Sequence, residues 1–186
     1  MTECLTASPH PAVCPERRAA LPGDAATIEL RRRLVGYAVK LVWNRQDAEE
    51  IVQEAFKLAL AGGPAFSEDR LVAWMFRTVG NLSQNLRRRR KPEALAPWLD
   101  IGQDASPAER MERTEQFERL RRGVDQLPEQ QRMATVLRMM EQMEYPRIAE
   151  IMELSVSAVR THVHLARERL IDILADEPAS GREDRP

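Results

Sequence analysis

Two cysteines, eight glycines and an aromatic share of 5% are all that this chain offers of those residue types. Two thiols cannot build the disulfide framework that staples a small secreted domain. β-Branched runs are scarce, so the alternating pattern of half-buried strands is missing. No apolar run approaches the roughly 18 residues of a membrane span. The N-terminus lacks a basic segment followed by an apolar core, so no signal peptide is expected and the cytoplasm is the expected compartment. Charge of one sign is lacking too. A formal net charge of -1 means that any surface for nucleic acid must be local, with acid concentrated elsewhere. What is present, among 186 residues, is 43% hydrophobic and 31% charged residues in helical periods.

Residues 1–23 carry Pro9, Pro11, Pro15, Pro22 and Gly23 and read as a flexible leader. Within it Cys4, His10 and Cys14 are spaced more widely than zinc ligands, so the leader reads as a tail with two reduced thiols, and no metal or cofactor is expected. A redox or metal sensor is the rival reading. A first helix starts at Asp24, with Ile28, Leu34, Val35, Ala38, Leu41 and Val42 opposite Arg31, Arg32 and Lys40. A second begins near Asp47 and breaks at Gly62-Gly63-Pro64; after a short loop, a third runs from about Arg70 to Arg90.

Residues 24–91 therefore form one small domain. Residues 92–112, with Pro92, Pro97, Gly102 and Pro107, read as an acidic linker. Its Trp98 either docks on a domain or inserts into a partner. Residues 113–175 form a second domain of four helices, striped by Phe117, Leu120 and Val124, by Met133, Val136, Leu137 and Met140, by Ile148, Ile151 and Met152, and by Val156, Val159, Val163, Ala166, Leu170 and Ile173. Residues 176–186 read as a disordered tail. The fold class is all-α: a three-helix domain and a four-helix domain joined by a flexible linker.

The last two helices of the second domain have the marks of a helix-turn-helix. Ala149 is the small residue where two helices cross, among Ile148, Met152, Leu154 and Val159. Glu153 stands where a turn glycine is usual, which costs on the order of 1 kcal/mol in a left-handed conformation. Ser155 is placed to cap the next helix. With the valine stripe buried, Ser157, Thr161, His164 and Glu168 face outward, flanked by Arg160 and Arg167, where they can meet base edges or phosphates in a major groove.

In the first domain, Ala48, Ile51, Val52, Ala55, Phe56 and Ala59 share one side of a helix and Glu50, Gln53, Glu54 and Lys57 the other. That acidic and amide face suits a protein surface and not a nucleic acid. The run Arg87-Arg88-Arg89-Arg90-Lys91 suits a helix C-terminus, but five adjacent cations repel one another unless a polyanion neutralises them. Upstream, Phe66, Trp74 and Phe76 flank the polar stretch "SEDR", where aromatic walls can hold an unstacked base; Trp74 and Phe76 also read as core. No phosphate loop, paired catalytic carboxylates or nucleophile motif is found, so no enzyme is expected.

The strings "DAEEIVQEAF" (47–56), "AWMFRTVGNLSQNLRRRR" (73–90), "LPEQQR" (127–132) and "YPRIAEIMELSVSAVRTHVHLARERL" (145–170) resemble, in order and spacing, bacterial RNA polymerase sigma factors of the extracytoplasmic-function class in the sigma-70 family. The resemblance implies a region 2-like domain and a region 4-like domain, with RNA polymerase core and promoter DNA as partners and an anti-sigma factor as regulator. By position, Asp47, Glu50, Gln53 and Glu54 would meet the beta-prime clamp helices, and the second domain the beta flap. Phe66, Ser67 and Arg70 would belong to a loop capturing a flipped minus-10 base, with Asn81 beside it. Arg77, Arg87, Arg88, Arg89, Arg90 and Lys91 would follow the promoter backbone. Ser157, Arg160, Thr161, His162, His164 and Arg167 would serve the minus-35 element. The alternative is a sigma-like decoy that binds an anti-sigma factor without promoter activity.

Overall fold

The computed structural model describes residues 24–61, 67–89 and 107–176. The leader with Cys4, His10 and Cys14, the glycine break with Phe66, the linker with Trp98 together with Arg90 and Lys91, and the tail from 177 onward lie outside the described residues.

Helix α1 (Asp24–Val42) buries Leu30, Leu34, Tyr37, Ala38 and Leu41, a stripe repeating every three or four residues. It stops at Trp43, whose backbone is left-handed (φ 55°) and whose N–H donates to the Val39 carbonyl at 2.7 Å. The next residue, Asn44, caps α2 (Arg45–Leu60): its side-chain oxygen accepts from the Asp47 N–H at 3.1 Å. Along α2 the buried apolar positions are Ala48, Ile51, Val52, Ala55 and Ala59. Three alanines there let α1 and α3 approach closely.

Helix α3 (Glu68–Arg89) buries Leu71, Met75, Phe76 and Val79 against both. Its start differs from the sequence expectation of a loop through "SEDR". Glu68, Asp69 and Arg70 form the first turn of α3, and the Leu71 N–H already reaches the Ser67 carbonyl at 2.9 Å. Asp69, acidic at the positive end of a helix dipole, favours this earlier start. Phe76 is a core residue, fully buried and tilted against Tyr37 with ring centroids 5.3 Å apart, so it forms no wall for a base.

The second group of helices begins inside the expected linker, since α4 runs Pro107–Gln126 and not from residue 113. Proline at the first helical position is preset for a helix and gives up no needed donor. At the far end of α4, Arg132 closes the helix. Its guanidinium donates to the carbonyls of Val124 (3.0 Å), Asp125 (2.7 Å) and Leu127 (2.7 Å). Burial of this cation, together with the nearby Arg87 charge, pushes its pKa down to about 10, so it remains charged near neutrality. Arg132 lies on α5 (Glu129–Thr135), which widens into a π-helical turn over Val136–Met140. Helix α6 (Tyr145–Met152) follows, then α7 (Val156–Asp176).

The two groups share one seam. Tyr37, Val79, Met133 and Val136 belong to one continuous buried cluster. Trp43, just after α1, meets Phe117 from α4 edge to face at 5.6 Å. Gly80 on α3 leaves room for Met133 and the Tyr37 hydroxyl.

Candidate functional site

The groove between α2 and α3, of about 580 Å³, collects all four residues expected to meet a protein partner: Asp47, Glu50, Gln53 and Glu54 line it beside Leu82 and Leu86. Glu50, Gln53 and Glu54 are exposed. Asp47 is not, having only 8% of its surface accessible in the first turn of α2. The capped turn draws it inward, so it shapes the groove instead of presenting a free carboxylate. Lys57 sits 3.4 Å from Glu54 and partly offsets its charge. The α2 wall is acidic and amide over apolar residues and fits a basic protein surface, while Arg89 lines the α3 side of the same groove.

Of the residues expected on the promoter, Ser67 just before α3, Arg70 in its first turn and Asn81 in its C-terminal half are exposed. Arg89 is exposed at its end. Arg77, Arg87 and Arg88 have partners. Arg77 pairs with Glu153 in the turn between α6 and α7. Arg87 donates to the Leu41 carbonyl at 2.9 Å and to Asp125 at 2.8 Å. Arg88 holds Glu129 through two hydrogen bonds of 2.8 and 2.6 Å. This paired geometry keeps the Glu129 carboxyl below its ordinary range and raises the Arg88 pKa. Part of the basic run is therefore matched, in this arrangement, by carboxylates of the second group.

On α7 the expected reading face forms a single stripe. Ser155 caps the helix, accepting from the Ala158 N–H at 3.1 Å and lying 2.9 Å from the Ser157 hydroxyl. Ser157, Arg160, Thr161, His164 and Arg167 are all exposed. His164 lies 3.5 Å from Glu168, one turn on. His162 departs from this face: it is half-buried, and its Nδ1 is enclosed without a hydrogen-bond partner. One residue after Thr161, a rotation of 100° carries it toward the core side. The turn preceding α7 has the left-handed residue expected at the glycine position, Glu153 at φ 52° and ψ 45°.

Two residues beside this face escaped the sequence reading. The Tyr145 ring lies between two guanidinium groups, Arg138 at 4.7 Å and Arg160 at 5.3 Å from its centroid. Arg138 is aimed by its hydrogen bond to the Met143 carbonyl at 2.9 Å. Tyr145 was hidden because its partners are distant in sequence; only the packing of α6 against both the π-helical turn and α7 brings the three together. The acidic residues Asp125 and Glu129 escaped too, and Glu153 was read only as a turn residue; the three lie on separate segments that only the seam aligns. Among the described residues no cluster of His, Cys, Asp and Glu is arranged to hold a metal ion. None of the described helices is long and apolar enough to cross a membrane.

Comparison with known proteins places these faces in a family context. Residues 28–93 match the family described as Sigma-70 region 2, and residues 117–170 the family described as Sigma-70, region 4. The chain is similar to the RNA polymerase sigma-H factor of Pseudomonas aeruginosa, 30% identical over 160 residues that cover 79% of this chain and 83% of that one. It is also similar to the extracytoplasmic-function sigma factor SigW of Bacillus subtilis, 27% identical over 150 residues, 74% of this chain and 80% of that one. Among solved structures, CnrH in complex with the cytosolic domain of CnrY superposes with a TM-score of 0.60 at 26% identity, covering 83% of this chain and 92% of that one. The Bartonella quintana sigma factor RpoE, in complex with the anti-sigma factor NepR, gives 0.62 at 21% identity, covering 82% of this chain and 96% of that one, a likeness of fold.

Proposed function

This chain belongs to the sigma-70 family, as a member of its extracytoplasmic-function class, and from that premise we propose how its two groups of helices divide the work of promoter recognition. It is a sigma factor whose partners are RNA polymerase core and promoter DNA. The α2–α3 groove, through Glu50, Gln53 and Glu54, receives the polymerase, with Asp47 shaping its floor. The exposed end of α3 and the stretch around Ser67, Arg70 and Asn81 serve the minus-10 element. The outer face of α7, with Ser157, Arg160, Thr161, His164 and Arg167, enters the major groove of the minus-35 element.

The observation that carries this reading is the opposition of two surfaces: an acidic groove on one face of α2 and a capped helix with an exposed polar and basic stripe on α7. The acidic α2 face suits a protein partner better than DNA, and the second surface has the donors and acceptors that base edges need. The protein contributes binding free energy. Unstacking a base costs on the order of a few kcal/mol, and contacts to the extruded base and backbone offset it. Bond-making in the RNA chain stays with the polymerase, and the work takes place in the cytoplasm.

An anti-sigma factor is the regulator this reading implies. One solved neighbour is itself a sigma factor in complex with an anti-sigma factor, so engagement of that kind does not favour a decoy. The test is run-off transcription with core polymerase on a promoter-fragment library, comparing the native protein with Arg160→Ala and with Glu50→Lys combined with Glu54→Lys. Initiation by the native protein, lost with the lysines through failure to bind core and reduced with Arg160→Ala while core binding persists, is the expected result. Core binding without initiation at any promoter would point to the decoy instead.

A further inference from the structure

Along α7, at about 100° per residue, Ser157, Leu165 and Glu168 all lie within about 40° of Thr161. This is the side opposite the buried Val159, Val163, Ala166 and Leu170. Leu165 is the one apolar side chain of the four, and 38% of it is exposed. Arg169, one turn on, donates to Gln131 of α5 at 3.0 Å and is drawn toward the body of the helices. Thr161, one turn before, gives its hydroxyl proton to the Ser157 carbonyl at 3.1 Å, which leaves it an acceptor oxygen and a methyl group. The middle of the outer face is therefore less polar than its edge, where Arg160, His164 and Arg167 stand exposed.

A lone leucine on a helix that faces water is ordinary. On a helix that enters a major groove it has a consequence, because the groove takes its water away. From Ser157 to Leu165 the helix rises about 12 Å, a span of three to four base pairs at about 3.4 Å each, so Leu165 still lies over base edges when the capped end is seated. A side chain with no donor or acceptor gains nothing from the ring nitrogens, carbonyls and amino groups that guanine, adenine and cytosine present there, and it deprives those groups of water without replacing it. Thymine alone among the four bases presents an alkyl group in that groove, its C5-methyl. We infer that Leu165 is a specificity-determining residue of the minus-35 contact, which packs on a thymine methyl and so selects an A·T pair at its position, with the Thr161 methyl beside it.

The inference rests on the major-groove reading of α7, and the experiment separates the two. The full chain with core polymerase is offered promoter-length duplexes randomised over the upstream half, and the retained sequence is resynthesised with deoxyuridine in place of thymidine, one position at a time. Deoxyuridine keeps every donor and acceptor of thymine and loses only the methyl. Competition binding compares the duplexes for the native chain, Leu165→Ala, Leu165→Met and Arg160→Ala. Leu165 is no part of the buried cluster, so its substitution leaves the fold intact.

One thymine of the upstream element is expected at which loss of the methyl weakens binding of the native chain roughly threefold to fivefold. Leu165→Ala should bind the thymine and deoxyuridine duplexes alike, at the level of the native chain on deoxyuridine, and Leu165→Met should restore the difference. Arg160→Ala should weaken both duplexes and keep their ratio. A retained element without thymine, thymines that can all be replaced without loss, or a methyl effect that survives Leu165→Ala would each overturn the inference while leaving α7 as the reading helix. A pool from which no upstream sequence is enriched would sink the major-groove reading itself, and the role of Leu165 with it.

Discussion

Gly80 of α3 and Met133 of α5 approach so closely that a Cβ built on Gly80 would lie 2.5 Å from the methionine sulfur and 3.0 Å from the Tyr37 hydroxyl. A glycine inside a helix costs about 1 kcal/mol relative to alanine, so its presence mid-α3 reflects the seam and not the helix. Gly80→Ala in the native background should be near neutral, the helix gain being cancelled by displacement of Met133. In a Met133→Ala background the same change should stabilise, by less than the full ~1 kcal/mol because the Tyr37 hydroxyl still lies 3.0 Å from the added Cβ. Urea denaturation of the four proteins in the cycle measures this, and simple additivity would show that the close approach carries no energy.

The guanidinium of Arg132 joins the end of α4 to α5 through three carbonyls. Arg132→Met leaves those carbonyls buried without donors, and the loss should be about 2–4 kcal/mol. Arg132→Lys should recover less than half of it, since an ammonium cannot span the fan that a planar fork reaches. Chemical denaturation gives the totals; hydrogen exchange at 124–127 shows whether the loss is local.

Much of this fold was legible in sequence because each helix carries its own period and punctuation. Ser155 caps α7, and the valine stripe of α7 separates core from reading face without reference to any other segment. The acidic wall at Glu50, Gln53 and Glu54 was legible for the same reason. What sequence could not supply depends on meetings between distant segments. Arg87 and Arg88 read as free cations until Asp125 and Glu129 arrive from across the seam, and Tyr145 acquires its meaning only when Arg138 and Arg160 flank it. A one-residue rotation separates His162 from its neighbours Arg160 and Thr161: its ring is half-buried and its Nδ1 enclosed, which the sequence alone did not show. At "SEDR" polarity suggested a loop, while acid at a helix start favours the helix.

Acid should loosen the pair between Arg88 and Glu129. The Glu129 carboxyl is held below its ordinary value of 4.5, chiefly by its hydrogen bonds to Arg88. A carboxyl whose folded pKa is depressed adds stability that is present above the unfolded pKa and disappears as the pH falls through the folded one. The native chain should therefore exceed Glu129→Gln in stability near neutrality, and the gap should close below pH 4.5. Thermal melts of both proteins across that range test it; a gap that persists in acid would show that the carboxylate pairing is not its source.

Glu153 occupies a left-handed turn at φ 52° while its side chain pairs with Arg77. Glu153→Gly should relieve strain of about 1 kcal/mol and lose an exposed ion pair worth roughly 0–1 kcal/mol. Glu153→Ala loses the pair and keeps the strain. The glycine variant should thus be the more stable of the two by about 1 kcal/mol, as read from denaturation midpoints. Equal stability would mean that the turn does not hold this conformation in solution.

The Tyr145 ring, 4.7 Å from the Arg138 guanidinium and 5.3 Å from that of Arg160, fixes Arg160 at the edge of the α7 reading face. A guanidinium over an aromatic face gains about 0.5–1 kcal/mol at an exposed site. An arginine already oriented loses less side-chain freedom when it meets DNA. Tyr145→Ala should therefore weaken binding of the native protein with core polymerase to a minus-35 duplex by about 1 kcal/mol, roughly fivefold. Tyr145→Phe keeps the ring face and should bind as the native protein does. Because the ring orients Arg160 and contacts no base itself, the alanine change should have little further effect once Arg160 is alanine too. Full additivity of the two changes would break the link between the ring and Arg160, and a Phe variant as weak as Ala would assign the effect to the tyrosine hydroxyl.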